Sequence, residues 1–163
     1  MNTSLFKHKK SILFLIGMLC TFTFLNVQAQ NKSERLKTEI TQALSDWNTH
    51  AKNGDLEKFM ALYDNSDNIM LVGSDSGEIF KGKVEIRQWL TALLKHAGFS
   101  WEMNRIDIDG YKKTAWVFID GYMIVKWDTG QSRKGPYRFT GIMVKKKGVW
   151  KWRLFDGSIP KGE

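Results

Sequence analysis

The sequence predicts an α+β domain, with three helices gathered on one face of an antiparallel sheet. Apolar residues recur at helical spacing in three segments before residue 98. From Phe99 onward the period changes to two, in four successive segments separated by short turns. Strands joined by short turns pair antiparallel, and helices covering one face of such a sheet define the α+β class.

Leu36, Ile40, Ala43, Leu44, Trp47 and Ala51 share one side of a helix of about twenty residues, ending near Asn53-Gly54. Asp55 is placed to cap a second, shorter helix with Leu56, Phe59, Met60 and Tyr63 inward. Ile69-Met70-Leu71-Val72 reads as a short strand, and Glu78 to Lys81 as its return after a turn over Gly73 to Gly77. Gly82-Lys83 opens a third helix whose buried side carries Val84, Ile86, Trp89, Leu90, Leu93 and Ala97. Gly98 suits its C′ position. Residues 99–109, 114–127, 134–146 and 149–158 form the long strands, with Gly110, Gly130 and Gly148 at the breaks.

Residues 1–29 read as a signal peptide. Lys7, Lys9 and Lys10 form a positive start, Ser11 to Phe24 a mostly apolar run, and Val27-Gln28-Ala29 a small-residue cleavage site before Gln30. A membrane anchor needs about 20 apolar residues, and this run is shorter. The expectation is export to a bacterial periplasm or the medium, with no stable membrane anchor after cleavage. Residues 30–163 then form a single domain. The only cysteine, Cys20, falls in the signal, which excludes the disulfide-scaffold class.

Removing the three signal lysines lowers Lys plus Arg from 25 to 22, against 17 acidic residues, for a net charge of +5. The basic residues are spread along the chain apart from Lys145-Lys146-Lys147, so no nucleic-acid face is expected. His50 and His96 are distant histidines near helix ends and make no transition-metal site. Asp64-Asn65-Ser66-Asp67-Asn68 lacks the central glycine and terminal glutamate of a calcium loop and reads as a polar turn. Neither a metal nor a cofactor is expected.

Gly54-Asp55-Leu56, the passage from Asp64 to Val72, Gly82-Lys83-Val84-Glu85-Ile86-Arg87, Arg138-Phe139-Thr140-Gly141, and Trp150 followed by Ser158 and Pro160 occur in an informative order. Together they resemble the SnoaL-like branch of the nuclear transport factor 2-like superfamily, over about residues 34 to 160. The resemblance implies a cone: a strongly curved sheet wrapping a long helix around an apolar cavity, often dimeric through the outer sheet face. Many relatives carry histidine two residues before the final serine; this chain has Asp156 there. A mechanism needing an imidazole at that place does not carry over.

Two residue sets are candidates for the site. Trp47, Trp89 and Trp101, with Phe59 and Tyr63, either pack the core or line the cavity mouth for a flat or apolar ligand. The polar set is Arg138, Thr140, Tyr122, Asp120 and Asp156. Alternation along the last strand puts Asp156 on the face of Trp150 and Trp152, hence inward. Arg138 then either pairs with Asp156 across two strands or holds a ligand carboxylate, leaving Asp156 to act as a general base. Three functions remain open. One is a module binding a small apolar or aromatic molecule. The second is a cofactor-independent isomerase, dehydratase or cyclase using Asp156 or Asp120. The third is a non-catalytic assembly domain. A homodimer through the outer sheet face is expected.

Overall fold

The computed structural model describes residues 30–161. The expected signal peptide, residues 1–29, lies outside the described residues. The chain divides into two compact units, 1–36 and 37–163; the sheet and cavity belong wholly to the second. Helix α1 covers residues 30–52, and Ile40, Leu44, Trp47 and Ala51 form its buried stripe at the expected spacing. Helix α2 (Leu56–Ala61) is capped by Asp55, whose side chain accepts the Lys58 N–H at 3.1 Å. Helix α3 (Gly82–Leu94) buries Ile86 and Leu90.

Six strands follow the order β2-β1-β6-β5-β4-β3 in one curved sheet. These are β1 (Met70–Val72), β2 (Ile79–Lys81), β3 (Ala97–Tyr111), β4 (Thr114–Trp127), β5 (Ser132–Lys146) and β6 (Val149–Ser158). The four long strands form the expected antiparallel meander. The sheet as a whole is mixed, because β1 runs parallel to β6. The turn from β5 to β6 uses Lys147 and Gly148, both with positive φ (49° and 85°), the geometry a two-residue hairpin of right-twisted strands requires. Two expected breaks move. Gly98 lies inside β3 rather than ending α3, and Gly110 lies inside β3, whose turn falls at Lys112-Lys113.

Two bulges bend the sheet. In β3 the pairing shifts between Met103 and Arg105. Opposite that bulge Gly121 approaches so closely that a Cβ would lie 1.9 Å from the Glu102 carbonyl oxygen, so only glycine fits. In β6, Ile142 of β5 faces Leu154 while Met143 faces Trp152, leaving Arg153 as the extra residue. Residues before this bulge face inward as expected: Trp150 and Trp152 are buried. After it the phase reverses. Phe155 and Gly157 face inward, while Leu154, Asp156 and Ser158 turn outward.

The bulge is fastened from the other side. The Trp152 N–H donates to the Leu62 carbonyl at 2.8 Å, and the Asp64 N–H donates to the Trp152 carbonyl at 2.9 Å. The Arg153 guanidinium also pairs with Asp64, a buried carboxylate only 5 % exposed. Asp64 therefore has a structural role in the polar turn. Removing one member of a buried pair strands the other charge. Because Arg153 keeps about a third of its side chain exposed, the cost is smaller than for a fully buried pair. Asp64→Ala should lower the unfolding free energy by about 2 kcal/mol. Asp67→Ala, in the same turn but exposed, should stay within about 0.5 kcal/mol. Urea unfolding of both variants checks this.

Candidate functional site

The concave side of the sheet borders a cavity of about 180 Å³ that opens at one mouth. Helix α1 supplies Trp47 and Ala51, and α2 with the residues following it supplies Phe59 and Tyr63. Leu71 comes from β1, and Trp89, Leu90, Leu93 and Leu94 from α3. Phe99 and Trp101 of β3, Met123 of β4, Tyr137 of β5 and Phe155 of β6 complete the wall. The turn between β1 and β2 adds Gly73, Ser74, Asp75 and Glu78. Asp75 is exposed, Ser74 and Glu78 are half-buried, and Trp47, Phe59 and Tyr63 are buried. That gradient puts the turn at the mouth and the aromatic rings at the closed end.

Trp47 organises the closed end. Its ring stacks on Trp101 at 4.2 Å and on Phe59 at 5.4 Å between centroids, and meets Phe139, Trp152 and Phe155 at 5.5 to 5.6 Å. Each such contact adds to the several kcal/mol that burial of an indole contributes. The neighbouring residue holds the stack in register. The Asn48 side chain donates to the Trp101 carbonyl at 2.9 Å and accepts the Trp101 N–H at 2.8 Å, clamping α1 to the edge strand β3. At the mouth, Phe80 stacks on Trp89 at 4.8 Å.

The five aromatic candidates, Trp47, Phe59, Tyr63, Trp89 and Trp101, thus come together on one cavity. The polar candidates do not join them. Arg138 and Thr140 alternate with inward Tyr137 and Phe139 and are exposed on the outer face. Arg138 Nε donates to Asp120 at 2.7 Å, not to Asp156. Tyr122 is 38 % exposed with the Lys134 ammonium 4.6 Å above its ring. Asp156, expected inward as a base, faces outward because the extra residue at Arg153 reverses the strand phase. Neither it nor Asp120 lines the cavity.

Sequence reasoning missed Tyr137, Phe155 and the mouth turn. Tyr137 carried a legible signal, since it shares the inward phase of Phe139. Its ring also needs Gly157, where a Cβ would stand 2.0 Å from the hydroxyl oxygen. The turn carried no local signal: its place depends on β1 joining the sheet beside β6.

The cavity holds few polar groups. Burial pushes the Tyr137 hydroxyl up to about 12, with nearby Ser74 opposing the rise and Glu78, Asp156 and Asp75 adding to it. Burial also raises Tyr63 well above the ordinary phenol value. The Trp47 indole lies close enough to weigh against that rise, but outside hydrogen-bond geometry, and the Tyr63 hydroxyl has no partner. Among the described residues no lysine, arginine or histidine lines the cavity.

The sequence profile of the SnoaL-like domain family matches residues 40–161. No curated protein matches the chain significantly. Solved structures match over most of their length. One is a candidate dehydratase of the nuclear transport factor 2-like family from Streptomyces avermitilis, with TM-score 0.70, 12 % identity, and coverage of 79 % of this chain and 99 % of that one. A nuclear transport factor 2-like superfamily protein from Salmonella enterica aligns with TM-score 0.69 and 16 % identity over 79 % and 94 %. A ketosteroid isomerase-like protein from Erwinia carotovora aligns with TM-score 0.62 and 18 % identity over 77 % and 96 %. At these identities the likeness shows the fold alone.

Tyr137 makes stability depend on alkaline pH. Its folded value lies above the ordinary phenol value of 10.0, so the unfolded chain gives up the proton first. The contribution is complete below pH 10 and is lost as pH rises through about 12. Tyr137→Phe should therefore show a shallower fall of unfolding free energy across that window than the parent, measured by urea unfolding at stepped pH.

Proposed function

Given that the chain belongs to the SnoaL-like domain family, we propose that it binds a small apolar or aromatic molecule in its cone cavity. The observation that carries this reading is the apolar space of about 180 Å³, open at its mouth and walled by Trp47, Phe59, Trp89 and Trp101. Pockets of this kind gain affinity from apolar burial and orientation from a few polar groups. The size restricts the ligand. A dry cavity of about 150 Å³ holds benzene, so the space behind the mouth suits a single ring with a short substituent. The binding reading is favoured over the enzymatic one because Asp156 and Asp120, the carboxylates considered as bases, face away from the cavity.

Single-ring aromatic compounds should quench tryptophan fluorescence and raise the thermal midpoint. At a ligand concentration of one hundred times Kd, the stabilisation should be about 2.7 kcal/mol. Trp101→Ala should weaken binding about tenfold or more, since it opens the stack on Trp47. Asp156→Asn and Arg138→Ala should leave Kd within a factor of two. No response from a panel of ten or more such compounds would end this reading.

We also propose a homodimer through the outer sheet face. Trp116, Tyr122 and Ile142 are 48 %, 38 % and 37 % exposed there, on adjacent strands. Trp116→Glu should convert a dimer to a monomer in sedimentation velocity; a parent that sediments as a monomer at 100 µM or so would remove the proposal.

A further inference from the structure

The mouth of the cavity carries a charge that the rest of the protein does not predict. The chain is basic, with 25 Lys and Arg against 17 Asp and Glu. Yet the charged side chains lining the cavity are both acidic, Asp75 and Glu78. The β1–β2 turn sets them side by side. The Gly73 N–H donates to the Glu78 carbonyl at 2.8 Å, and the Asp75 N–H donates to the Glu78 carboxylate at 3.1 Å. The Glu78 side chain folds over the turn so closely that a Cβ on Gly73 would meet Glu78 Oε2 at 2.0 Å. Among the described residues neither carboxylate forms an ion pair. Most other carboxylates with a cation in reach use it: Glu57 pairs with Arg87, Glu102 with Lys134, Asp107 with Arg105 and Asp120 with Arg138.

A further observation concerns the same cavity. Its closed end presents indole and phenyl rings that take an aromatic ring by stacking. Tyr63 lies at that closed end, 1 % exposed, away from the mouth carboxylates, and has no part in holding the charge. A carboxylate or phosphate ligand would meet two like charges at the entrance and no cationic side chain within. A neutral ring gains nothing from the two mouth carboxylates, which stay solvated. An ammonium on a short arm answers them while its ring sits against Trp47 and Trp101.

We propose that the ligand is a single-ring aromatic ammonium, its ring among Trp47, Phe59 and Trp101 and its charge at Asp75 and Glu78. This deepens the binding reading above and rests on it. Three probes of one shape separate the two: 2-phenylethylammonium, 2-phenylethanol and phenylacetate, titrated by tryptophan fluorescence with calorimetry as a second readout. The expected order is ammonium tightest, alcohol about tenfold weaker, and phenylacetate weakest. The double variant Asp75→Asn, Glu78→Gln should bring the ammonium to the level of the alcohol while leaving the alcohol's Kd unchanged, and its unfolding curve should match the parent. Raising salt from 20 to 500 mM or so should weaken the ammonium alone. If the alcohol binds as tightly as the ammonium, or the ammonium preference survives in the double variant, the charge assignment is overturned and the apolar binding reading stands. If none of the three binds, the ammonium assignment is overturned, and the wider panel of single-ring compounds decides the apolar binding reading.

Discussion

Arg153 has no partner across β5, and the inward face of β6 changes phase at that residue. Much of the cone depends on how this extra residue is held. Before it, Trp150 and Trp152 point into the core; after it, Phe155 reaches the cavity and Gly157 makes room for Tyr137. A bulge left to itself disrupts a ladder. Here the displaced backbone is bonded by residues 62–64, and the displaced side chain pairs with buried Asp64. The same contacts attach the α2–β1 connection to the sheet, and β1 then continues beside β6 in parallel. One irregularity thus bends the last strand, brings in β1 and carries the mouth turn to its position.

The closed end of the cavity is organised differently, by packing rather than by backbone pairing. Trp47 touches rings from α2, β3, β5 and β6. Asn48 beside it holds the β3 backbone with two hydrogen bonds. A helix residue that packs and a neighbour that bonds fix the distance between α1 and the edge strand. The space left between this stack and α3 is the cavity. Its aromatic wall and acidic mouth come from different parts of the chain, the wall from the helices and long strands and the mouth from one short hairpin.

The outer face answers a different need. Arg138, Asp120, Thr140, Tyr122 and Asp156 all lie there. The pairs Arg138–Asp120 and Lys134–Glu102 are exposed and contribute little to stability, as surface ion pairs do. They nonetheless keep a strand face that also carries Trp116 and Ile142 from being uniformly apolar.

The sequence by itself determined the element order, the buried face of α1 and the aromatic half of the cavity; on α3, Val84 was expected inward and is 70 % exposed. Period 3.6 over α1 selects Ile40, Leu44 and Trp47, and period two selects the strands, because both patterns are local consequences of backbone geometry. The same period-two rule failed for Asp156, since nothing in Trp150-Lys151-Trp152-Arg153-Leu154 announces that one residue will be left unpaired. That residue is extra only relative to β5, and its contacts come from residues 62–64, about ninety positions earlier in the chain. Arg138 and Thr140 lie outward for a local reason: they alternate with Tyr137 and Phe139, which face the interior. The tertiary structure alone decided the parallel entry of β1, and with it that Asp75 and Glu78 stand at the mouth. Strand pairing across long sequence separations is a property of the assembled sheet, not of either strand.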